Sequence, residues 1–312
     1  MSTAVCTLFE GDYHYGVGVL TNSLYSHGFR GVVWAGYRGA LPPWATSLKA
    51  GRGYQEFSVA EGCVIRFVPL STEKFLSNYK PDFMLELWES YCPDAENLFY
   101  FDPDIVNKCS WTYYERWVNR GIAICAEVNY WMPANHPHRM AWKEFAEDNG
   151  HVCQRELDCY FNGGFIGLKQ SNKSVILLWQ KLLETCEMAG YISLRDFHFT
   201  PFAPVYPYFT GDQCVLNLAL MLTSYPLSPI GPEGMDFCRQ GNIMSHAIGP
   251  SPKPWRKQTI ISALNGMPPT ITEKLFWQHT QVPIQVYPRT KNLRKSFELR
   301  CGSAIGRFIQ RT

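Results

Sequence analysis

The amino-acid sequence predicts an α/β fold with a Rossmann-like mixed sheet flanked by helices. Apolar runs of strand length alternate with amphipathic stretches, which is the pattern of βαβ units. No internal repeat and no long Gly/Ser linker divides the 312 residues. Hydrophobic residues make up 46% of the chain and charged residues 18%, so it can bury a sizeable core.

The elements can be placed in order along the chain. Short apolar runs predict strands at residues 4–9, 31–35, 64–68, 97–101, 122–126 and 160–168. Amphipathic stretches predict helices at residues 17–26, 83–90, 139–147, 173–187 and 212–223. Residues 243–255 begin as a strand and become a proline-rich loop, and the aromatic, proline-rich residues 191–210 read as a loop.

Charge and cysteine content restrict the class of protein. The 29 basic and 27 acidic residues nearly balance, which argues against nucleic acid as the main partner. Eleven cysteines without a Cys-x-x-Cys pair fit neither a zinc site nor a disulfide framework. With no signal peptide and no apolar run near the roughly 20 residues that span a bilayer, we expect a soluble, cytoplasmic protein.

The last stretch, residues 287–312, differs in composition from the rest. Its seven basic residues are Arg289, Lys291, Arg294, Lys295, Arg300, Arg307 and Arg311. Glu298 is the one acidic residue among them. Two interpretations stay open: a solvated surface helix, or a basic amphipathic segment that contacts an anionic membrane surface from the inner face.

Two carboxylates follow the predicted strand at 97–101. Asp102 and Asp104 lie two residues apart, so both can reach one divalent ion, and oxygen ligands suit Mg²⁺ or Mn²⁺. An Asp-x-Asp turn also arises by chance in a chain of this size. The preceding strand favours the metal interpretation, because ligands in open α/β sheets gather at the carboxyl ends of strands.

Three further segments carry polar residues that suggest chemistry. Gly163 and Gly164 interrupt a predicted strand, which indicates either close approach of a ligand to the backbone or a β-bulge. Asp212 starts a helix, where it is either a cap or part of a site. His246 leads from a strand into a loop with Lys253, where an imidazole could complete a metal site and an ammonium could neutralise a diphosphate.

Taken in order, these motifs resemble family 8 glycosyltransferases of the GT-A fold, the group that contains glycogenin and bacterial lipopolysaccharide galactosyltransferases. The matching segments are Phe101-Asp102-Pro103-Asp104, Phe161-Asn162-Gly163-Gly164, Gly211-Asp212-Gln213 through Asn217, and His246 through Trp255. Residues 7–13 resemble the family's first strand and nucleotide-binding turn, and residues 123–127 resemble a strand that ends beside the sugar site. The resemblance covers residues 4–256.

The resemblance implies a role for each matched residue. Asp102, Asp104 and His246 would hold Mn²⁺ or Mg²⁺. The nucleotide would contact Thr7, Phe9, Asp12, Tyr13, Gly249 and Lys253. The donor sugar would contact Asn162, Gly163, Gly164 and Glu127, with Gln213 and Asp212 as catalytic residues. Residues 1–284 would form one GT-A domain, followed by a basic tail at 285–312.

The expected activity is therefore transfer of a hexose from a nucleotide diphosphate sugar such as a UDP-sugar. The anomeric configuration of the sugar would be retained. The acceptor would be a hydroxyl of a glycan, a lipid-linked molecule or a protein. Residues 191–208 are either an acceptor wall or a packed surface loop. Two rival classes are a sugar-1-phosphate nucleotidyltransferase, which should carry a basic glycine-rich loop after the first strand, and a non-catalytic nucleotide-sugar-binding protein, which should have lost a metal ligand.

The chain also departs from the family pattern. Gly249 and Lys253 are separated by one residue more than usual, Cys214 replaces an aspartate, and Glu127 stands where an aspartate is more common. The family's basic residue in the helix before the Asp-x-Asp has no counterpart at the expected spacing, and Lys80 is the nearest basic residue. The donor sugar and acceptor therefore cannot be copied from the family.

Overall fold

A computed structural model describes residues 2–128, 131–196, 209–248 and 252–309. The fold is α/β, with a mixed sheet flanked by helices, which confirms that part of the predicted fold class. The chain divides into two compact units, each assembled from distant parts of the sequence. The first unit comprises Met1–Leu8, Leu70–Phe101 and Tyr113–Pro232, and the second comprises Phe9–Pro69, Asp102–Thr112 and Glu233–Thr312.

The strands are β1 (Thr3–Glu10), β2 (Gly31–Arg38), β3 (Lys49–Ala50), β4 (Gln55–Ala60), β5 (Cys63–Pro69), β6 (Asn97–Phe101), β7 (Ile105–Asn107), β8 (Ile122–Cys125), β9 (Phe165–Lys169), β10 (Leu227–Ile230) and β11 (Met244–His246). The α-helices are α1 (His14–Ser26), α2 (Lys80–Glu86), α3 (Trp111–Trp117), α4 (Pro137–Asp148), α5 (Lys173–Met188), α6 (Asp212–Met221), α7 (Thr259–Leu264), α8 (Ile271–Gln278) and α9 (Arg289–Phe308). No helix in the described part of the chain is long and apolar enough to cross a membrane.

In the first unit the strand order is β10-β8-β9-β6-β1. The pairs β8–β10 and β1–β6 are parallel, whereas β9 runs antiparallel to both of its neighbours. Every residue of β6 is buried, as its continuous run of apolar side chains predicts for a strand covered on both faces. Helix α5 buries Val175, Trp179, Leu182 and Leu183 along one face, which confirms the predicted amphipathic helix.

In the second unit β2 and β5 pair in parallel, and β4 and β3 extend that sheet with antiparallel pairing. A separate two-stranded ladder joins β7 and β11, with His246 opposite Ile105. Helix α9 packs in this unit because Gly302 and Gly306 leave room for two prolines. An added Cβ would lie 3.1 Å from the Pro269 ring and 2.4 Å from the Pro268 ring, respectively.

One predicted strand was too long. Residues 160–164 form no regular strand, and β9 begins at Phe165. Phe161 makes an isolated antiparallel bridge with Ala126, but the chain then turns at Gly163 and Gly164. The N–H groups of these two glycines donate to side-chain oxygens, Gln213 Oε1 and Asn162 Oδ1, at 2.8 Å each. These bonds use the backbone groups that a longer strand would need for its ladder. Of the predicted loop at 191–210, residues 197–208 lie outside the described residues.

Candidate metal centre and a second polar cluster

The second unit brings Asp102, Asp104 and His246 together. The chain reverses directly after the first aspartate, where the Ile105 N–H donates to the Asp102 carbonyl at 3.1 Å, and it then forms β7. Because β11 pairs with β7, His246 arrives beside this turn. One ligand atom from each of the three side chains lies within 4.8 Å of the others. The three predicted metal ligands therefore form one cluster.

The cluster has the donor set that a hard divalent cation takes. His246 Nε2 lies 3.1 Å from Asp104 Oδ1 and 3.7 Å from Asp102 Oδ2. Asp104 and His246 are buried, and the Asp102 side chain is 23% exposed, which leaves the site open on one side. His246 Nδ1 is buried without a hydrogen-bond partner in the described residues, and the contacts of the imidazole with the two aspartates are made by Nε2. Two carboxylates and one imidazole fit Mn²⁺ or Mg²⁺.

Lys253 adds a positive charge to this cluster. Its ammonium donates to Asp104 Oδ2 at 2.5 Å and to the Ala247 carbonyl at 2.7 Å. Burial raises the pKa of Asp104, but His246 and Lys253 together outweigh burial and hold that pKa well below its ordinary value. Burial lowers the pKa of Lys253, and Asp104 outweighs it, so the net shift is upward. The aspartate therefore carries its negative charge and the lysine its positive charge.

Asp12 and Tyr13 belong to the same unit. Both carboxylate oxygens of Asp12 accept hydrogen bonds from the Arg256 guanidinium, one of them at 2.6 Å from Nε, and this bidentate pair lowers the pKa of Asp12. The Tyr13 ring meets Trp255 edge to face at 5.2 Å between centroids. Lys253 Nζ lies 6.0 Å from the centroid of the same tyrosine ring. Sequence reasoning missed Arg256, because nothing local to it indicates a partner 244 residues away.

The side chains of two other predicted nucleotide contacts, Thr7 and Phe9, are buried. Thr7 belongs to the first unit and is fully buried, with no hydrogen-bond partner for its hydroxyl in the described residues. The Phe9 ring is a core residue, stacked on Tyr37 at 5.9 Å and set edge to face against Phe67 at 6.2 Å. Only the backbone of Phe9 is therefore left for a ligand. Gly249 lies outside the described residues.

A glycine of α1 determines how closely the helix approaches the turn that carries two of the candidate metal ligands. An added Cβ at Gly16 would lie 2.1 Å from the carbonyl oxygen of Pro103. Pro103 is the residue between the two aspartates, and the contacting atom belongs to the backbone, which cannot rotate away as a side chain can. Only glycine fits at this position without displacing the turn.

A second polar cluster lies in the first unit. The Asn162 amide donates to Glu127 Oε2 at 2.7 Å, and its Oδ1 accepts the Gly164 N–H at 2.8 Å. Gln213 Oε1 accepts the Gly163 N–H at 2.8 Å. An added Cβ at Gly163 would lie 3.2 Å from Asp212 Oδ2, tighter than an ordinary contact. All six predicted sugar-site and catalytic residues therefore lie in this cluster, and five of them are joined by these side-chain hydrogen bonds.

Lys80 joins this second cluster, although its spacing in the sequence did not match the family. At the start of α2, its ammonium lies 2.9 Å from Asp212 Oδ2 and 2.9 Å from the Gly163 carbonyl oxygen. It also lies 5.2 Å from the centroid of the Tyr100 ring. The side chains of Lys80 and Asp212 are only 4% and 8% exposed. A buried lysine needs such partners, because an isolated buried charge is costly.

Comparison with known families finds no family model that matches this chain. No curated protein matches it significantly either. The functional interpretation therefore rests on the two clusters and on the motif resemblance.

Proposed function

We propose that this chain is a metal-dependent glycosyltransferase that moves a hexose from a nucleotide diphosphate sugar to an acceptor hydroxyl. The observation that carries the proposal is the grouping of Asp102, Asp104 and His246 with Lys253 directly beside them. A nucleoside diphosphate leaves slowly until its developing negative charge is neutralised. A bound Mn²⁺ or Mg²⁺ supplies that neutralisation without proton transfer.

The residues around the metal ligands suit the rest of the nucleotide. Lys253 supplies a positive charge for the diphosphate, and its present partner Asp104 is one of the proposed metal ligands. Tyr13 offers a ring face on which a base such as uracil can stack. Asp12 is held in place by Arg256, so its oxygens are oriented for ribose hydroxyls. The family resemblance and the acidic, aromatic turn at Asp12 and Tyr13 together favour a UDP-sugar donor, with glucose or galactose as the leading sugars.

We assign the second cluster to the donor sugar. Carboxylate and amide groups make paired hydrogen bonds to hydroxyls and so distinguish epimers, and Glu127, Asn162 and Asp212 supply such groups. Gln213 uses one lone pair of its carbonyl oxygen on the Gly163 N–H, which leaves a second for developing positive charge at the anomeric carbon. An amide is a weak nucleophile, so we favour attack from the leaving-group side with retention of configuration.

The two rival classes receive less support from the residues. A sugar-1-phosphate nucleotidyltransferase needs a basic, glycine-rich loop after its first strand, and here that position holds the acidic residues Glu10 and Asp12. A non-catalytic nucleotide-sugar-binding protein has no need to keep a complete metal-ligand set. The three ligands are all present and grouped, which favours an enzyme.

We further propose a cytoplasmic protein that contacts an anionic membrane surface through α9. Leu293, Phe297 and Phe308 are 63%, 66% and 88% exposed and recur on one side of this helix. Arg300 and Arg307 are exposed beside them. An apolar stripe bordered by arginines fits an interfacial helix on anionic lipid.

Release of nucleoside diphosphate from a panel of nucleotide sugars with Mn²⁺ tests the main proposal. We expect slow hydrolysis of one UDP-sugar alone and faster turnover when an acceptor is added. Gln213→Ala should lower turnover more than donor affinity, because the carbonyl interaction strengthens in the transition state. Proton NMR of the first product tests retention. No turnover with any donor and acceptor, combined with tight nucleotide-sugar binding, would support the non-catalytic alternative.

A further inference from the structure

The second unit contains a cavity of about 840 Å³ that the proposed reaction does not use. The side of α9 that carries Lys291, Lys295 and Glu298 forms one wall, and the start of α7 forms another. Trp255 and Trp277 contribute aromatic surface. Its volume lies in the range of small-molecule sites, which is roughly 300–1,000 Å³.

The α9 wall has an excess of positive charge. Lys291, Arg294 and Lys295 line the cavity, and among its described lining residues Glu298 is the one carboxylate. Arg294 and Lys295 share Glu298, at 3.0 Å each. Lys291 forms no ion pair with a carboxylate in the described residues, and its ammonium lies 4.3 Å from the centroid of the Tyr287 ring. The wall therefore offers positive charge that its own acidic residue does not neutralise.

Away from α9, the cavity is lined by two tryptophans, two isoleucines, Lys257, Gln258 and Thr259. The Trp277 indole N–H donates to the Pro254 carbonyl at 3.3 Å, so its polar edge is already satisfied and its apolar surface lines the cavity. Thr259 also lines the cavity, is 1% exposed, and has a hydroxyl without a hydrogen-bond partner in the described residues. A buried unpartnered hydroxyl is costly, and a ligand that accepts or donates a hydrogen bond removes that cost.

We propose that this cavity binds a phosphorylated ligand with a sugar or other ring attached. The cationic α9 wall takes the phosphate, the tryptophans cover the ring, and the Thr259 hydroxyl bonds to one polar group. The phosphate could belong to a soluble hexose phosphate or to a lipid headgroup. This inference does not rest on the proposed glycosyltransferase activity.

The cavity and the candidate metal centre are lined by different residues, although both use side chains from the segment 253–258. Along residues 253–258, Lys253 and Arg256 bind Asp104 and Asp12, whereas Trp255, Lys257 and Gln258 line the cavity. The cationic residues Lys291 and Arg294 lie on α9, which carries none of the three candidate metal ligands, and can be changed independently.

The test uses the full chain with glucose 6-phosphate, glucose and inorganic phosphate as probes, measured by calorimetry and by tryptophan fluorescence. We expect glucose 6-phosphate to bind in a salt-sensitive way and more tightly than either phosphate or glucose alone. Replacing two cations in Lys291→Gln/Arg294→Gln should weaken binding about tenfold or more, because charge-assisted hydrogen bonds to phosphate are lost. The matched control Arg300→Gln/Arg307→Gln removes the same charge from the same helix and should leave the affinity for glucose 6-phosphate unchanged. It serves for the soluble probes only, because both arginines border the stripe of α9 that we propose to contact a membrane.

A second arm uses phosphatidylcholine vesicles with and without phosphatidylinositol phosphate. Vesicle binding that depends on the phosphorylated lipid and is lost in Lys291→Gln/Arg294→Gln assigns the cavity to a headgroup. Binding of glucose 6-phosphate alone assigns it to a soluble ligand. Binding of none of these probes, or equal weakening of glucose 6-phosphate binding by both pairs of substitutions, overturns the proposal. Unchanged circular dichroism and Mn²⁺ affinity in both variants ensure that unfolding is not the cause.

Discussion

Replacing Asp104 by Asn is the most informative perturbation of the candidate metal centre. The substitution removes one negative charge with little change in volume. Asp104 is 5% exposed and contacts both His246 Nε2 and Lys253 Nζ. If the aspartate is a metal ligand, its loss should lower Mn²⁺ affinity. It should also raise the activation free energy of donor cleavage by several kcal/mol.

The same substitution also has a structural cost that can be estimated separately. Removing one partner of a buried pair costs about 3–5 kcal/mol, because the other charge is left uncompensated. The Lys253 side chain is 22% exposed, so it can turn toward water and the cost should lie at the lower end. We therefore expect Asp104→Asn to unfold at a lower urea concentration even without metal.

Asp236→Asn is the matched control for this effect. Asp236 is another aspartate of the second unit that pairs with a lysine, Lys108, at 2.7 Å, and both side chains are at most 10% exposed. Asp236→Asn should cost comparable stability but keep wild-type Mn²⁺ affinity by calorimetry and metal-dependent thermal shift. Wild-type Mn²⁺ affinity in Asp104→Asn, or full turnover in EDTA, would refute the metal assignment.

Three further predictions concern other parts of the second unit. Gly16→Ala should displace the turn at Pro103 and lower Mn²⁺ affinity in calorimetry, since overpacking against backbone typically costs about 1–3 kcal/mol. Burial, with a smaller contribution from His27, lowers the pKa of His279 from 6.5 to about 4, so between these values the unfolded state binds more protons. The free energy of unfolding should therefore fall as pH drops from 6.5 to 4, by at most about 3 kcal/mol and less to the extent that water reaches the ring. Phe297→Ser/Phe308→Ser should weaken binding to anionic vesicles and leave turnover of a soluble acceptor unchanged.

Each of these predictions has a control and an opposing outcome. Gly18→Ala in the same helix meets a side chain of Val286 and should spare Mn²⁺ affinity, so equal losses in both glycine variants would contradict a specific role for Gly16. His279→Gln should remove this fall in the free energy of unfolding between pH 6.5 and 4. An unchanged fall would show that other groups cause it. Val282→Ser, at a residue 75% exposed, should not affect vesicle binding. Vesicle binding that survives loss of both phenylalanines would leave α9 a solvated surface helix.

Local patterns in the sequence were sufficient to predict the elements that deliver the candidate metal ligands. The apolar run at 97–101 ends at Asp102, and the structure has β6 with the same bounds. The strand that carries His246 was also predicted, as β11 shows. Such patterns can be read from neighbouring residues, because a buried strand needs a continuous apolar run whatever its partners are. The sequence by itself therefore determined the α/β class and the ligand types at the candidate metal centre.

Only the tertiary structure decided which distant residues meet. It joins Lys80 to Asp212 and places Arg256 on Asp12, and neither pair leaves a signal in local sequence. It also makes the strand predicted at 160–168 begin only at Phe165, because the side chains of Gln213 and Asn162 take the N–H groups of Gly163 and Gly164. The physical reason is common to all three. A buried charge or backbone amide must find a partner, but which residue supplies it depends on where the folded chain brings remote segments together.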